Sequence, residues 1–177
     1  MMLDRQPMLK GELVRVRPLR DEDLDALRAI SSDPLLWEQH PAKERSTVEG
    51  FQQWFDDARA SGGALTVIDR ADGQIIGTSR YDHYDPAASE VEIGWTFIAR
   101  SHWGTPYNGD LKRVMLDHAF GAVDTVVFRV HGENWRSQRA VEKLGAIRSA
   151  TELDARGFGE VVVFRLDRTV PRACWGG

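Results

Sequence analysis

The chain has 177 residues, of which 42% are hydrophobic and 28% are charged. This length fits one domain, and the composition is that of a globular protein rather than a disordered or fibrous one. Its 27 acidic residues outnumber its 23 basic residues and give a net charge of −4. Nucleic acids and acidic membrane surfaces attract proteins with the opposite balance. We therefore expect a single domain over residues 1–177 that binds neither nucleic acid nor membranes.

The cysteine and histidine content bears on redox setting and metals. The only cysteine is Cys174, so the chain cannot form an internal disulfide or a site with several thiolates. The five histidines lack the spacing of a metal site. No stretch approaches about 18 apolar residues, and residues 1–12 lack the apolar segment of a secretion signal. These features predict a cytoplasmic protein without a bound metal.

The N-terminal part of the chain predicts a strand followed by two helices. Residues 13–19 alternate valine with arginine, which is typical of a half-buried strand, and residues 21–30 carry leucine and isoleucine at helical spacing. Ser46 and Glu49 form a capping box, which predicts a second helix that ends at Gly62–Gly63. The apolar stripe of this helix is predicted to consist of Val48, Phe51, Phe55 and Ala58.

A hairpin and a third strand follow. Residues 64–69 and 74–81 flank Ala71-Asp72-Gly73, which is a strong signal for an antiparallel hairpin. Residues 90–98 then predict a strand with two alternating faces. One face is predicted to carry Val91, Ile93, Trp95 and Phe97, and the other Glu92, Gly94, Thr96 and Ile98.

The C-terminal part predicts a helix over 110–120, a strand over 126–131, a helix over 136–144 that ends at Gly145, and a final strand over 160–166. The inward side of the helix over 110–120 is predicted to be Leu111, Val114, Met115 and Ala119. A strand that returns through a helix to another strand is compatible with a parallel crossover. We predict an α+β fold with a mixed, mostly antiparallel central sheet flanked by helices.

The loop from Trp103 to Gly109 has features of an anion site. It precedes a helix, whose N-terminal N–H groups attract anions, and Lys112 and Arg113 follow close behind. A plain connection between strand and helix fits the same pattern. Because the chain has no Walker A motif, no G-x-G-x-x-G fingerprint and no G-x-S-x-G elbow, nucleotide hydrolysis, dinucleotide redox chemistry and serine hydrolysis lack sequence support.

Nearly the whole chain resembles the GCN5-related N-acetyltransferase (GNAT) superfamily, and within it the RimJ/RimL-like branch. The segments that carry the resemblance are LVRVRPLRDEDLDAL, EIGW, HWGTPYN, LKRVMLDHAF, VVFRV and ENWRSQRAVEKLGAIR. The last is the most specific, because it is similar to the N-x-x-S-x-x-x-x-x-K-x-G-A/F signature. The resemblance implies the GNAT fold and direct transfer of an acetyl group from acetyl-CoA to a protein N-terminus or a small-molecule amine, in a monomer or homodimer.

The loop departs from the family's Q/R-x-x-G-x-G/A pattern. Trp103 takes the first place, Pro106 replaces the middle glycine and Asn108 the final small residue. Proline has no N–H, so the loop offers one donor fewer to a pyrophosphate. The departure bears on the affinity for CoA. It also keeps two other hypotheses open, namely a CoA-binding regulatory module without turnover and an unrelated ligand-binding domain.

The resemblance implies three chemical roles. An amine must lose a proton before it attacks, and Glu92 is the candidate base, directly or through a water; the alternative is a salt-bridged strand residue. A backbone N–H within 94–97 would stabilise the thioester oxygen. Ser137 would protonate the departing thiolate and Asn134 would bind the pantetheine; the alternatives are a helix-capping residue and a turn residue, respectively.

The remaining assignments concern binding. The residues that the resemblance assigns to the cofactor are Trp95, Thr96, Phe97, Trp103, Gly104, Thr105, Tyr107, Asn108, Lys112, Asn134 and Ser137. Candidate acceptor residues lie between the first two helices and after the hairpin, and they are Trp37, His40, Tyr81, His83 and Tyr84. Trp37 fits a core position equally well.

Overall fold

The computed structural model describes residues 2–175, apart from the side chain of Cys174, and this range forms one eight-stranded mixed sheet. The strands are β1 (Leu9–Lys10), β2 (Val14–Pro18), β3 (Ala64–Asp69), β4 (Ile75–Asp85), β5 (Glu90–Ile98), β6 (Thr125–His131), β7 (Ile147–Leu153) and β8 (Glu160–Asp167). Their order in the sheet is β1-β2-β3-β4-β5-β6-β8-β7, and only β5 and β6 pair in parallel. The predicted fold class is confirmed.

Helices cover both faces of the sheet. They are α1 (Leu24–Ser31), α2 (Val48–Ala60), α3 (Tyr107–Ala119) and α4 (Trp135–Lys143). Leu27 and Phe51 of α1 and α2 belong to one apolar cluster, whereas Leu111 and Met115 of α3 belong to the other. The crossover from β5 through α3 to β6 agrees with the predicted strand–helix–strand order. Among the described residues, no helix is both long and apolar enough to span a membrane.

The predicted start of α2 is corrected by one residue. Thr47, not Ser46, is the N-cap residue, and its hydroxyl accepts a hydrogen bond from the Gly50 N–H at 3.1 Å. Ser46 ends a short 3-10 turn, Lys43–Ser46. Val48 is 59% exposed, so it does not belong to the apolar stripe that was predicted for this helix.

Strand β7 was not predicted. All seven of its residues are exposed, so the segment shows no alternation of buried and exposed positions. It pairs only with β8, at the edge of the sheet. Hydrogen bonds to a neighbouring strand, rather than a buried face, hold this segment in place, and such pairing leaves no pattern in the sequence.

A bulge interrupts β5 at Trp95, whose backbone φ is 51°. Gly94 lies opposite Arg80 on β4, and Phe97 lies opposite Thr78, so two β5 residues face one β4 residue. Beyond such a bulge, the alternation of side chains between the two faces of the sheet is shifted by one residue. Ile93 packs in the cluster under α3, whereas Phe97 packs in the cluster under α1 and α2. The predicted single face for residues 91, 93, 95 and 97 is therefore wrong beyond Ile93.

The N-terminal turn of α3 is fixed to the sheet by Asp110. Its carboxylate accepts hydrogen bonds from the backbone N–H groups of Glu12, Leu13 and Val14 at 2.8 to 3.2 Å. Burial acts to raise the pKa of this carboxyl, but these hydrogen bonds outweigh it and hold the pKa below its ordinary value. The start of α3 consequently has a defined position relative to β5.

Candidate active site

A cleft of about 1210 Å³ opens where β5 and β6 separate. The two strands pair over only three positions, from Glu90 opposite Thr125 to Glu92 opposite Val127. Beyond that point, residues 93–98 of β5 and residues 128–131 of β6 form opposite walls. The edge of β5 that faces β6 therefore has no strand partner there, among the described residues, and its backbone is open to a ligand.

One end of the cleft is closed by the start of α3. The helix begins after Pro106, and no side chain of residues 2–175 caps it. Asn108 and Gly109 line the cleft beside this helix end, together with Gly104, whose φ is 71°. Uncapped N–H groups at the positive end of a helix are a favourable place for an anion. We call this part of the cleft, from Trp103 to Gly109, the helix end.

Trp103 and Tyr107 have different surroundings at the helix end. The indole N–H of Trp103 donates to the Ile98 carbonyl at 2.9 Å, which holds its ring in the cleft wall. Tyr107 does not line the cleft. Its hydroxyl donates instead to Asp69 at 2.9 Å, and the assignment of its side chain to cofactor binding is corrected accordingly.

Lys112 reaches the cleft but Arg113 does not. Lys112 is only 7% exposed, and its ammonium donates to the Thr96 hydroxyl at 2.7 Å. Burial lowers the pKa of this ammonium to about 7. Arg113 turns away and pairs with Asp110 at 2.6 Å, so the prediction that both cations face the anion site is wrong for Arg113.

Asn134 and Ser137 lie at the start of α4. Asn134 is the N-cap residue, and its side-chain oxygen accepts the Ser137 backbone N–H at 3.2 Å. Asn134 is thus the capping residue, and its amide NH₂ group remains available to a ligand. Ser137 is not a cap. Its hydroxyl is in the cleft wall with no hydrogen-bond partner in the described part of the chain.

Glu92 lies behind the cleft wall and is paired. It is 4% exposed, its Oε2 accepts from Arg129 Nη1 at 2.5 Å, and the same atom is 2.7 Å from His83 Nδ1. Burial acts to lower the pKa of the Arg129 guanidinium, but the Glu92 carboxylate outweighs it and raises that pKa. The other carboxylate oxygen, Oε1, points towards Gly94, where a Cβ atom would lie 3.4 Å from it.

Another part of the cleft is lined by the segment that connects α1 to α2 in the chain, and we call it the acceptor end. Trp37 is 4% exposed and packs against Phe97 with ring centres 5.5 Å apart, so this indole is both a core residue and a wall of the cleft. The His40 ring lies 5.0 Å from the His131 ring. Burial, with Arg45 and His131 nearby, lowers the pKa of His40 to about 3. His40 is consequently neutral near pH 7.

Two tyrosines that were predicted to contact the acceptor lie elsewhere. Tyr81 is fully buried, and its hydroxyl donates to the Met115 carbonyl at 2.6 Å. The Tyr84 ring packs against the same core cluster. Both assignments are corrected, because β4 turns these side chains towards α3 rather than the cleft. The His83 side chain is 63% exposed; it contacts Glu92, and its ring centre lies 5.9 Å from that of Trp95 in the cleft wall.

Several cleft residues were missed in the sequence. The unpredicted polar side chains that line the cleft are Gln39, Arg45, His102, Arg129, His131, Arg136, Arg139 and Lys143. Arg136 joins two loops: its guanidinium stacks 3.8 Å from the centre of the Trp103 ring and donates to the Leu36 carbonyl at 3.5 Å. Alternation along β6 was a usable signal for Arg129, since that residue lies between buried neighbours. Nothing local in the sequence marks Arg45.

Comparison with known proteins identifies the family. Residues 14–147 match the acetyltransferase (GNAT) domain family, and the chain belongs to it. A GCN5-related N-acetyltransferase from Brucella melitensis has a similar structure, with a TM-score of 0.81, 21% identity, and coverage of 96% of this chain and 80% of that one. A comparison with curated protein sequences gave no significant match.

Two similar solved structures contain CoA or a CoA derivative. Mycobacterium smegmatis RimJ in complex with CoA-disulfide has a TM-score of 0.67 and 20% identity, with coverage of 92% of this chain and 86% of that one. Spermidine N-acetyltransferase from Vibrio cholerae, in complex with CoA and spermine, has a TM-score of 0.70 and 15% identity, with coverage of 90% and 98%. At these identities the similarity establishes a shared fold.

Proposed function

We propose that the protein transfers an acetyl group from acetyl-CoA to an amine by direct attack in a ternary complex, as a RimJ/RimL-like member of its family. The observation that carries this proposal is the separation of β5 from β6 beside the uncapped start of α3. An extended ligand with an anionic group at one end fits such a cleft, because the open edge of β5 and the helix end offer N–H donors one after the other along it.

The helix end would hold the pyrophosphate of acetyl-CoA. Its donors are the backbone N–H groups at the start of α3, and Lys112 adds a positive charge nearby. Pro106 contributes no N–H, but its fixed φ suits the first turn of a helix. Asn134 would donate its free amide NH₂ to the pantetheine.

Glu92 would take the proton of the acceptor amine, directly or through a water. Free α-amines and lysine side chains have pKa values of about 8 and 10.4, so at pH 7 a base must remove that proton. Oε1 points towards Gly94, which lines the cleft, so a water in the cleft would have to relay the proton to a carboxylate behind the wall. His83 contacts Oε2 and reaches solvent, which provides a route for the proton to leave.

The remaining steps follow from the acyl chemistry. The neutral amine nitrogen forms a bond to the thioester carbon, and the negative charge that develops on the oxygen would be stabilised by backbone N–H groups at the β5 bulge. The C–S bond then breaks. Ser137 would give its hydroxyl proton to the departing thiolate and regain one from water.

One observation favours a second candidate, a CoA-binding regulatory module. Glu92 is already in contact with Arg129 and His83, so its carboxylate has a structural role that requires no acceptor amine. Both candidates require CoA binding, and only the first consumes acetyl-CoA.

The deciding experiment measures CoA thiol release from acetyl-CoA with a panel of amines, together with the melting temperature at saturating acetyl-CoA. A ligand that binds only the folded state stabilises it by mass action. Thermal stabilisation with amine-dependent thiol release supports the transferase. Stabilisation without release with any amine favours the regulatory module, and no stabilisation contradicts both.

A further inference from the structure

The acceptor end of the cleft is positively charged. Arg45 and Arg129 line it, and no aspartate or glutamate is among the lining residues in the described part of the chain. Arg129 is paired with Glu92 and Glu152, and Asp154 with Arg156 at 3.0 Å, whereas Arg45 has no ion pair in the described part of the chain; the acid with the largest influence on it is its neighbour Glu44. A ligand that enters this end therefore meets unbalanced positive charge.

Arg45 contributes an unpaired charge. It is 8% exposed, and its guanidinium lies 5.5 Å from the centre of the Trp37 ring. Within residues 2–175 this guanidinium has no hydrogen bond and no ion pair. Burial lowers its pKa to about 10. A buried charge without a partner is destabilising unless a ligand supplies the counter-charge.

Arg80 is a second buried guanidinium with unused donors, although it does not line the cleft. Its guanidinium stacks 4.6 Å from the centre of the Trp95 ring, and its Nε and Nη2 atoms are buried without a hydrogen-bond partner. The only acid it contacts is Asp82, at 3.5 Å through Nη1. Arg80 is close enough to Arg45 to contribute to the lowering of the Arg45 pKa. Arg80 thus adds positive charge behind the cleft wall, whereas Arg45 brings unused donors into the cleft itself.

We propose, on the basis of the function proposed above, that the acceptor is a small amine that also carries a carboxylate, such as a free amino acid, and that Arg45 binds that carboxylate. A guanidinium offers two parallel N–H donors to a carboxylate, and this geometry is the strongest that either group forms. The aromatic rings of Trp37 and Trp95 would hold the ligand between them.

The same charges disfavour two other acceptor classes. A polyamine would bring a second ammonium group close to the positively charged Arg45 guanidinium, and like charges repel each other. The N-terminus of a protein has no carboxylate close to its amine, so it would leave the Arg45 guanidinium without a counter-charge. These classes serve as comparison substrates.

The first test compares acetylation of amino acids, their amides, spermidine and a decapeptide by thiol release. A charge-assisted hydrogen bond contributes about 1.5–3 kcal/mol, so kcat/KM for an amino acid should exceed that for its amide by about 10- to 100-fold. Equal or higher values for the amide, spermidine or the peptide would overturn the proposal. The proposed acetyl transfer would stand in that case.

The second test uses Arg45→Gln, with Arg28→Gln on the exposed face of α1 as the matched control. Arg45→Gln should raise KM for the amino acid by about 10-fold or more and leave the amide unchanged. Binding of N-acetyl amino acids, followed by tryptophan fluorescence with CoA present, does not depend on turnover. The wild-type protein should bind the N-acetyl amino acid better than its amide. The Arg45→Gln variant should bind the two equally. If the wild type shows no preference, the proposal is refuted even if the protein has no turnover.

Discussion

The helix end and the acceptor end of the cleft differ in composition: a family sequence motif covers the residues of the helix end, and no motif covers those of the acceptor end. The helix end consists of residues from one stretch of the chain, Trp103 to Gly109, and its proposed donors are the uncapped backbone N–H groups at the start of α3. The acceptor end collects Trp37, Arg45 and His131 from separate elements, and side chains form its surface. Backbone donors suit a group that a whole family shares, whereas side chains change with the individual substrate. This difference implies that variants at the two ends should change different kinetic constants.

Glu92→Gln should have the largest effect on turnover, because it removes the proposed base between the two ends and keeps the shape. We expect kcat to fall by about 10²- to 10⁴-fold at pH 7 with unchanged acetyl-CoA affinity, and the loss to shrink at high pH, where the free amine is already neutral. Thiol release against pH measures this.

The matched control for Glu92→Gln is Glu152→Gln. Glu152 is half exposed, and its carboxylate is the second one that contacts Arg129, with Oε2 3.3 Å from Arg129 Nε. A Glu92→Gln protein with full activity at pH 7, or a Glu152→Gln protein with an equal loss, would show that Glu92 only balances the charge of Arg129.

Asn108→Asp should weaken acetyl-CoA binding by about tenfold, which corresponds to about 1.4 kcal/mol, because a carboxylate at the helix end repels the pyrophosphate. Asn108→Ala should do less. Isothermal titration calorimetry gives both affinities. Because Asn108 belongs to the helix end and not to the residues that form the acceptor end, KM for the amine should change little; an unchanged acetyl-CoA affinity in Asn108→Asp would place the pyrophosphate elsewhere.

Lys112→Met should change stability in a pH-dependent way. The pKa of Lys112 is lowered to about 7 in the folded protein, so below that pH the burial of its charge costs stability. The cost is relieved as pH rises from about 7 to the unfolded value of about 10.4. The variant should therefore melt higher than wild type at pH 6, by about 5 °C, and the gain should vanish by about pH 10. A gain that is independent of pH would contradict this.

Tyr81→Phe should have the smallest effect, because Tyr81 belongs to the core rather than to either end. Loss of the hydrogen bond to the Met115 carbonyl should cost about 1 kcal/mol of unfolding free energy, measured with urea. The kinetic constants should stay at their wild-type values. A raised KM for the amine would restore Tyr81 to the acceptor site.

Local patterns were sufficient for most of the fold and for the helix end. The hairpin turn, the helix stripes and the α4 signature each depend on neighbouring residues, and the structure places Asn108, Asn134 and Ser137 in one cleft. Alternation failed at Trp95, because a bulge depends on the partner strand rather than on the residue itself. It also failed for β7, which has no buried face.

The acceptor end was harder to predict because its residues are separated in the chain. Arg45 lies in a short turn where an arginine ordinarily faces solvent, and its burial beside the Trp37 ring depends on tertiary packing. Tyr81 was misassigned for the opposite reason, since proximity to a predicted loop gave no information on which face of β4 it occupies.

Amide hydrogen exchange with and without acetyl-CoA tests the central claim most directly, because that claim assigns acetyl-CoA to the open edge of β5. Binding should slow exchange in residues 93–98 and in the loop from Trp103 to Gly109, where backbone N–H groups would gain acceptors, and leave β7 unchanged. Unchanged exchange in both segments at saturating acetyl-CoA would contradict the account.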